Sequence, residues 1–246
     1  AKSAKATPLL PASELIVRFN MEFKRRLWKT EIYEALCSYS QLCDPITVGR
    51  NLEKAYSESI MLNDAVNGMR YRLKSEGKVV TKEVEEEYRN KAITDYNASV
   101  ESALSNYQRQ MIVLFSTYIE VIAQNFIEWY FSNNPITMHD YVSEEKGKIS
   151  FSEFINHDSK NEFIESLAKR SASNVISGEW KRILKRIESL TKVELKGKEG
   201  ILILLSTRNK IVHENAKIEV GDEGVYDFYE TLSAFLEYCE KVYLSE

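Results

Sequence analysis

The residue types with the clearest chemical capacity sit close together at Arg208-Asn209-Lys210-Ile211-Val212-His213, an Arg and a His with four residues between them and an Asn directly after the Arg. Arginine is permanently charged, and its planar fork matches phosphate oxygens. Histidine exchanges protons near neutral pH. An asparagine amide can donate to a phosphate or hold an imidazole in one tautomer. Cutting RNA without a metal requires these groups: a base for the 2′-hydroxyl, an acid for the departing 5′-oxygen and a cation for the phosphorane. The spacing alone is common, so its surroundings decide what it means. On a regular helix five residues separate Arg208 and His213 by about 140°, whereas Asn209 and His213 share a face. One chain also offers a single His where an acid and a base are both needed. A composite site between two chains meets both difficulties, as does a locally distorted helix that lets the long Arg208 reach round.

The surroundings favour chemistry. The pair follows the apolar run Ile201-Leu202-Ile203-Leu204-Leu205, which predicts a packed helix presenting it. It also lies in a basic segment. Between Lys160 and Lys217 there are 13 Lys+Arg and 7 Asp+Glu, leaving 20 and 30 for the other 188 residues. A basic segment in an otherwise acidic chain marks where a polyanion can sit, and Lys210, Arg182, Lys185 and Arg186 are the substrate-binding residues it suggests. The other reading of Lys181, Arg182, Lys185 and Arg186 is the solvated face of an amphipathic helix. For His213 it is a cation favoured by a helix C-terminus, with Arg208 in a surface ion pair.

The elements that must position these residues read as helices. The 246 residues include only 9 Gly and 4 Pro, against about 17 and 12 for an average chain of this length. That scarcity disfavours an all-β sandwich or a Gly-rich phosphate loop and predicts an all-α fold. Helical spacing predicts a first helix over about 13–41, ended by Asp44-Pro45, and a second over about 46–74. A turn at 75–78 precedes a third helix capped by Thr81, highly charged from Lys82 to Asn97. The run from Met111 to Phe131 is apolar around most of its circumference, which predicts the buried centre of a bundle. Ser116, Glu120, Gln124 and Glu128 form one polar stripe along it, a wet edge or one wall of a polar cleft. Asn133-Asn134-Pro135 stops it. An irregular stretch follows, with a short strand or turn near 148–151. Ser159 and Glu162 form a capping-box pattern for a helix to about Arg170. Further helices are predicted over 178–190 and, after a turn at Gly221 and Gly224, over 225–243.

With those residues in place, the chain resembles the HEPN family, all-helical domains many of which are metal-independent ribonucleases. The resemblance covers about residues 98–246: the apolar helix carrying Glu120, the Arg-Asn-x-x-x-His helix and the C-terminal amphipathic helix. Residues 1–97 read as an N-terminal helical extension matched to nothing. The resemblance implies an antiparallel HEPN-type bundle, with Arg208 and His213 as the catalytic pair and Asn209 as the motif's polar residue. It implies an endoribonuclease without cofactor or metal, acting as a homodimer with a composite site and leaving 2′,3′-cyclic phosphate and 5′-OH ends. It also implies a toxin or antiviral setting in which an antitoxin or regulatory partner restrains the enzyme. Some members bind nucleic acid, nucleotides or partners without cleaving, so a binding module remains the alternative. Glu120 is expected either to orient Arg208 or to be solvated.

Other residues are less eloquent. His139-Asp140 and His157-Asp158 read as surface or capping groups. The three cysteines, Cys37, Cys43 and Cys239, are too few and scattered for a disulfide framework or zinc site and read as buried thiols. Trp129, Tyr130 and Phe131 suit core packing better than base stacking. No run of 18 apolar residues and no leader pattern is found, so a soluble, cytoplasmic protein without membrane contact is expected.

Overall fold

A computed structural model of the chain describes residues 23–47, 56–142, 151–214 and 216–245. Among them the ordered elements are all helical, with no strand. They are α1 (Arg25–Thr47), α2 (Ile60–Ser75), α3 (Lys82–Asn133), a 3-10 turn (Pro135–Met138), α4 (Phe151–Ile155), α5 (Lys160–Val175), α6 (Trp180–Thr191), α7 (Lys198–His213) and α8 (Gly221–Ser245). The chain divides into two compact units. One takes the described residues up to Arg25, Glu120–Lys196 and Glu237 onward; the other takes Arg26–Ile119 and Gly197–Leu236.

Several helix ends differ from expectation. α1 runs two residues past Pro45. Proline lacks the N–H that would bond Gln41, but so near the end only one helical bond is forgone. The second helix starts at Ile60 because Ser59 caps it, its hydroxyl accepting from Leu62 N at 3.2 Å. α3 is continuous over 52 residues, from the Thr81 cap through the charged stretch into the apolar one. Phe151 opens the short helix α4, and residues 148–150 of the strand or turn expected there lie outside the described residues, as do residues 13–22 of the first predicted helix. The capping box forms one residue wider than usual: Ser159 Oγ accepts from Glu162 N, while Glu162 reaches back to Asp158 N. α5 then extends to Val175, and α8 starts at Gly221.

The first unit packs around the second half of α3. Phe126, Ile127 and Phe131 are fully buried, and Trp129 and Tyr130 nearly so. Phe23, Trp129 and Tyr238 contact the Phe126 ring at centroid distances of 5.7, 5.8 and 6.3 Å. Trp129, Tyr130 and Phe131 therefore serve the core, as their sequence context predicts. α5 packs on the 3-10 turn and on α6, burying Ala168, Ala172 and Val175. By length and composition alone α3 could cross a membrane, but half of its most apolar stretch is buried within the protein.

The second unit buries Met111, Ile112, Phe115 and Ile119 of α3 together with Ile201, Leu204 and Leu205 of α7 and Leu232 and Phe235 of α8. α2 and the first part of α3 form a helical hairpin with its own core of Leu62, Val66 and Met69 against Tyr88, Ala92 and Ile93. Arg70 and Glu85 close it with a bidentate pair, and Tyr56 stacks on Tyr96 at 4.0 Å. A polar knot ties α1, α3 and α8: the buried Tyr39 hydroxyl donates to Asp222, and Gln108 Nε2 donates to the same oxygen at 2.9 Å. Asp222 stands in the first turn of α8, where the helix dipole favours a carboxylate.

α7 approaches α8 closely at Gly200, where a Cβ would lie 2.8 Å from Thr231 Oγ1 and 3.2 Å from its methyl. Either rotamer of Thr231 would meet the added atom. Gly200→Ala is expected to destabilise the protein by about 1–3 kcal/mol in urea unfolding, and Thr231→Ala should reverse most of that loss. An additive double variant would show that the two residues do not compete for this space. A second expectation concerns alkaline pH. Burial first, and the bond to Asp222 second, raise the Tyr39 phenol well above its ordinary value. The unfolded chain releases that proton near pH 10 while the fold retains it, so stability present below pH 10 declines as pH rises further. Tyr39→Phe should make that decline shallower, leaving the part due to the other buried phenols, among them that of Tyr238, which burial pushes up to about 12; an unchanged slope in pH-resolved thermal melts would refute the assignment.

Candidate functional site

α7 forms because Gly197, in the left-handed region at φ 76°, turns the chain into it and Glu199 suits its first turn. Lys210 and His213 stand in its last turn, where cations are favoured. Of the apolar run, Ile201, Leu204 and Leu205 are buried, whereas Ile203 stays about half exposed.

Arg208 follows Ile201, Leu204 and Leu205 by seven, four and three residues and thus lies on their face. Its side chain is half-buried. Its buried Nε has no hydrogen-bond partner among the described residues, and its Nη1 donates to Asn209 Oδ1 at 2.9 Å. His213, the last residue of α7, is exposed, as are Asn209 and Lys210. Asn209 and His213, one turn apart, share the outward face with Ser206. The chain folds back over the helix end, with the Lys210 carbonyl accepting from Glu214 N at 3.2 Å and Ala216 N at 3.1 Å. Within one chain, then, Arg208 and Asn209 are joined, and Asn209 and His213 share a face. Among the described residues no hydrogen bond links Arg208 to His213, and Arg208 makes no ion pair.

Glu120 lies half-buried on α3 in the first unit; the partner assigned to it from sequence, Arg208, lies in the second. Its stripe continues as Gln124, which donates to Glu128 at 2.7 Å and to Ser173 Oγ on α5 at 3.3 Å. Ser116, at the stripe's start, is buried and donates to the Val113 carbonyl.

On α6, Lys181, Arg182 and Lys185 are exposed. Arg186 has a structural job. Its Nη1 donates to the carbonyls of Val175 at 2.9 Å, Ser177 at 2.8 Å and Asn174 at 3.4 Å, closing the C-terminus of α5. Position explains this job: Arg186 stands about 140° around α6 from Lys181, on the side that meets the end of α5.

His139 pairs with Asp140 at 3.1 Å on the surface, and His157 packs edge-on against Phe163. Cys43 and Cys239 are buried and Cys37 half-buried, none of them in a disulfide among the described residues, and burial holds the Cys239 thiol well above its ordinary value. Among the described residues no group of three or more His, Cys, Asp or Glu is placed to hold a metal. The knot of Tyr39, Gln108 and Asp222 escaped the sequence reading. Asp222 directly after Gly221 hints at a helix start, but nothing local announces partners 183 and 114 residues away.

No family model matches the chain, and neither a curated protein nor a solved structure matches it.

The two roles on α6 are separable. Arg186→Met is expected to lower stability by about 1–2 kcal/mol in urea unfolding, since it orphans carbonyls at the end of α5. Arg182→Met, at an exposed position, should stay within about 0.5 kcal/mol of the parent. Equal effects of the two substitutions would overturn the capping role.

Proposed function

We propose that the chain is a metal-independent endoribonuclease of the HEPN kind, with Arg208 and His213 as its working pair and Asn209 as their polar companion. The observation that carries this reading is the end of α7. There a half-buried arginine, steadied by Asn209 and with its Nε unpartnered, stands within two turns of an exposed histidine. The all-helical fold is what the resemblance requires, and a HEPN-type bundle is the finer form of it that we propose.

The chemistry runs as follows. An imidazole removes the 2′-OH proton, the freed oxygen attacks the adjacent phosphorus, and the guanidinium stabilises the charge gathering on the phosphorane oxygens. The bond to the 5′-oxygen breaks as a second imidazole protonates that oxygen. The products are a 2′,3′-cyclic phosphate and a 5′-OH end. The second imidazole is supplied by His213 of the partner subunit in a homodimer. That arrangement also overcomes the divergence of Arg208 and His213 on a single helix, because the arginine of one chain can serve the histidine of the other. Lys210 is a substrate-binding residue in this reading, and the setting is that of a cytoplasmic toxin or defence enzyme held in check by a partner.

A second reading has one observation in its favour. Within one chain Arg208 faces the core and His213 faces solvent, which suits an RNA-binding module that does not cleave.

The two readings part in one experiment. End-labelled RNA incubated with purified protein in excess EDTA should be cut to cyclic-phosphate ends. His213→Ala and Arg208→Ala should each slow cutting by about 10²- to 10⁴-fold. RNA retained in a gel shift but left intact by the parent protein would favour the binding module. Equal cutting by all three proteins would reveal a contaminant and remove the support for this site.

A further inference from the structure

The described glycines, with one exception, have a local reason to be glycine. Gly77, Gly178, Gly197 and Gly221 take positive φ. A Cβ at Gly200 or Gly224 would lie 2.8 Å from Thr231 or 2.7 Å from Val220. Gly68 has neither reason. It stands in the middle of α2, where glycine weakens a helix relative to alanine. Nothing among the described residues lies within 4 Å of the place its Cβ would take.

The surface around Gly68 is also uncovered. Leu62, Val66 and Met69 face the hairpin core, so the helical repeat turns Ile60, Asp64, Gly68 and Tyr71 to the opposite side, with Met61 and Arg72 at its edge. Ile60, Met61 and Tyr71 are 78%, 71% and 79% exposed. Apolar side chains this bare on a four-turn helix, with a notch at the glycine between them, suit the crossing of another helix.

The charges of the face indicate which helix. Asp64 and Arg72 stand four residues to either side of Gly68, about 6 Å each way, on one i, i+4 row. Turned end for end about Gly68, the row complements itself: Asp64 of each copy comes opposite Arg72 of the other. Rows of this kind align when two helices cross at about 50°, the commonest packing class. Among the described residues Asp64 makes no ion pair, and Arg72 has only Glu76, at 4.0 Å. Self-complementarity of this sort is what a two-fold contact requires.

We propose that the outer face of α2 is a self-association surface, on which two copies of the chain cross antiparallel at Gly68 and exchange two Asp64–Arg72 ion pairs. Gly68 lets the two backbones approach, and Ile60, Met61 and Tyr71 lose water around the crossing. A single helix crossing is small for a protein interface, so the pairing is weak and reversible. It goes beyond the function proposed above and does not depend on it. A composite site at the end of α7 would be joined by its own contact, so the test reads residue 68 itself.

The test uses the full chain carrying Cys37→Ser, which removes the one cysteine that is not buried. In that background G68C, oxidised at high protein concentration, should give a disulfide-linked dimer on non-reducing gels, because residues on the two-fold axis come within bridging distance. S75C, on the same face, should not, since its two copies lie about 20 Å apart. In the parent chain, D64R and R72D should each weaken self-association about tenfold in sedimentation velocity, and D64R/R72D should restore it. G68Q gives two readouts of opposite sign: a raised Tm, because a helix-interior glycine is removed, with association about tenfold weaker. No cross-link in G68C, equal cross-linking of G68C and S75C, a G68C disulfide formed within one chain, or no recovery in D64R/R72D would each overturn the contact. A G68Q protein that gains Tm and associates like the parent would overturn it as well. RNA cutting enters none of these readouts, so this contact and the ribonuclease fail separately.

Discussion

The constraint on which the rest of the structure depends is the burial of α3. From Met111 to Phe131 it carries apolar side chains around most of its circumference, and a helix of that kind must be covered by other parts of the chain. Each unit covers its own portion. In the first, Phe126, Ile127 and Phe131 are enclosed with Phe23, Tyr238 and helices α5 and α6. In the second, Ile112, Phe115 and Ile119 are enclosed along with the inner faces of α7 and α8. The motif helix is thereby committed. Once Ile201, Leu204 and Leu205 turn inward, the 3.6-residue repeat carries Arg208 inward with them and leaves Asn209 and His213 outside.

Polar groups drawn into these interiors are satisfied by long-range partners, and those partners fix where helices begin and end. Tyr39 and Gln108 both donate to Asp222, anchoring the first turn of α8. Tyr238 and Thr191 bond each other and hold the turn that follows α6. Arg186 gathers three carbonyls at the end of α5. Such groups cost heavily when left unpaired, so each tie restricts the local arrangement more sharply than apolar contact alone. Three buried side-chain groups among the described residues stand apart from this pattern without a hydrogen-bond partner: Trp28 Nε1, Ser171 Oγ and Arg208 Nε. Of these, Arg208 Nε belongs to the proposed site, where a substrate oxygen would complete it.

The proposed function joins that orphaned donor to the chemistry of its neighbours. A cation half withdrawn from water keeps more of its electrostatic strength than one fully exposed. Arg186 on α6 gives its Nη1 to the end of α5, and Lys192, just past α6, stands in the left-handed region at φ 57°.

What the sequence determined by itself was whatever depends on neighbours a few residues away. Helical spacing, the Thr81 and Ser159 caps, the stop at Asn133-Asn134-Pro135 and the inward run of Ile201, Leu204 and Leu205 are all local, because helical hydrogen bonds and side-chain faces repeat within one or two turns. The all-helical fold and the buried character of Trp129, Tyr130 and Phe131 were legible for that reason, as was the divergence of Arg208 and His213. The tertiary structure alone decided matters set by partners far along the chain: that Arg186 caps α5, that Asp222 binds Tyr39 and Gln108, and that Tyr238 holds the turn in which Lys192 takes a glycine's conformation. A charged or polar side chain reads the same in sequence whether it meets water or an unpaired carbonyl, and only packing brings that carbonyl within reach.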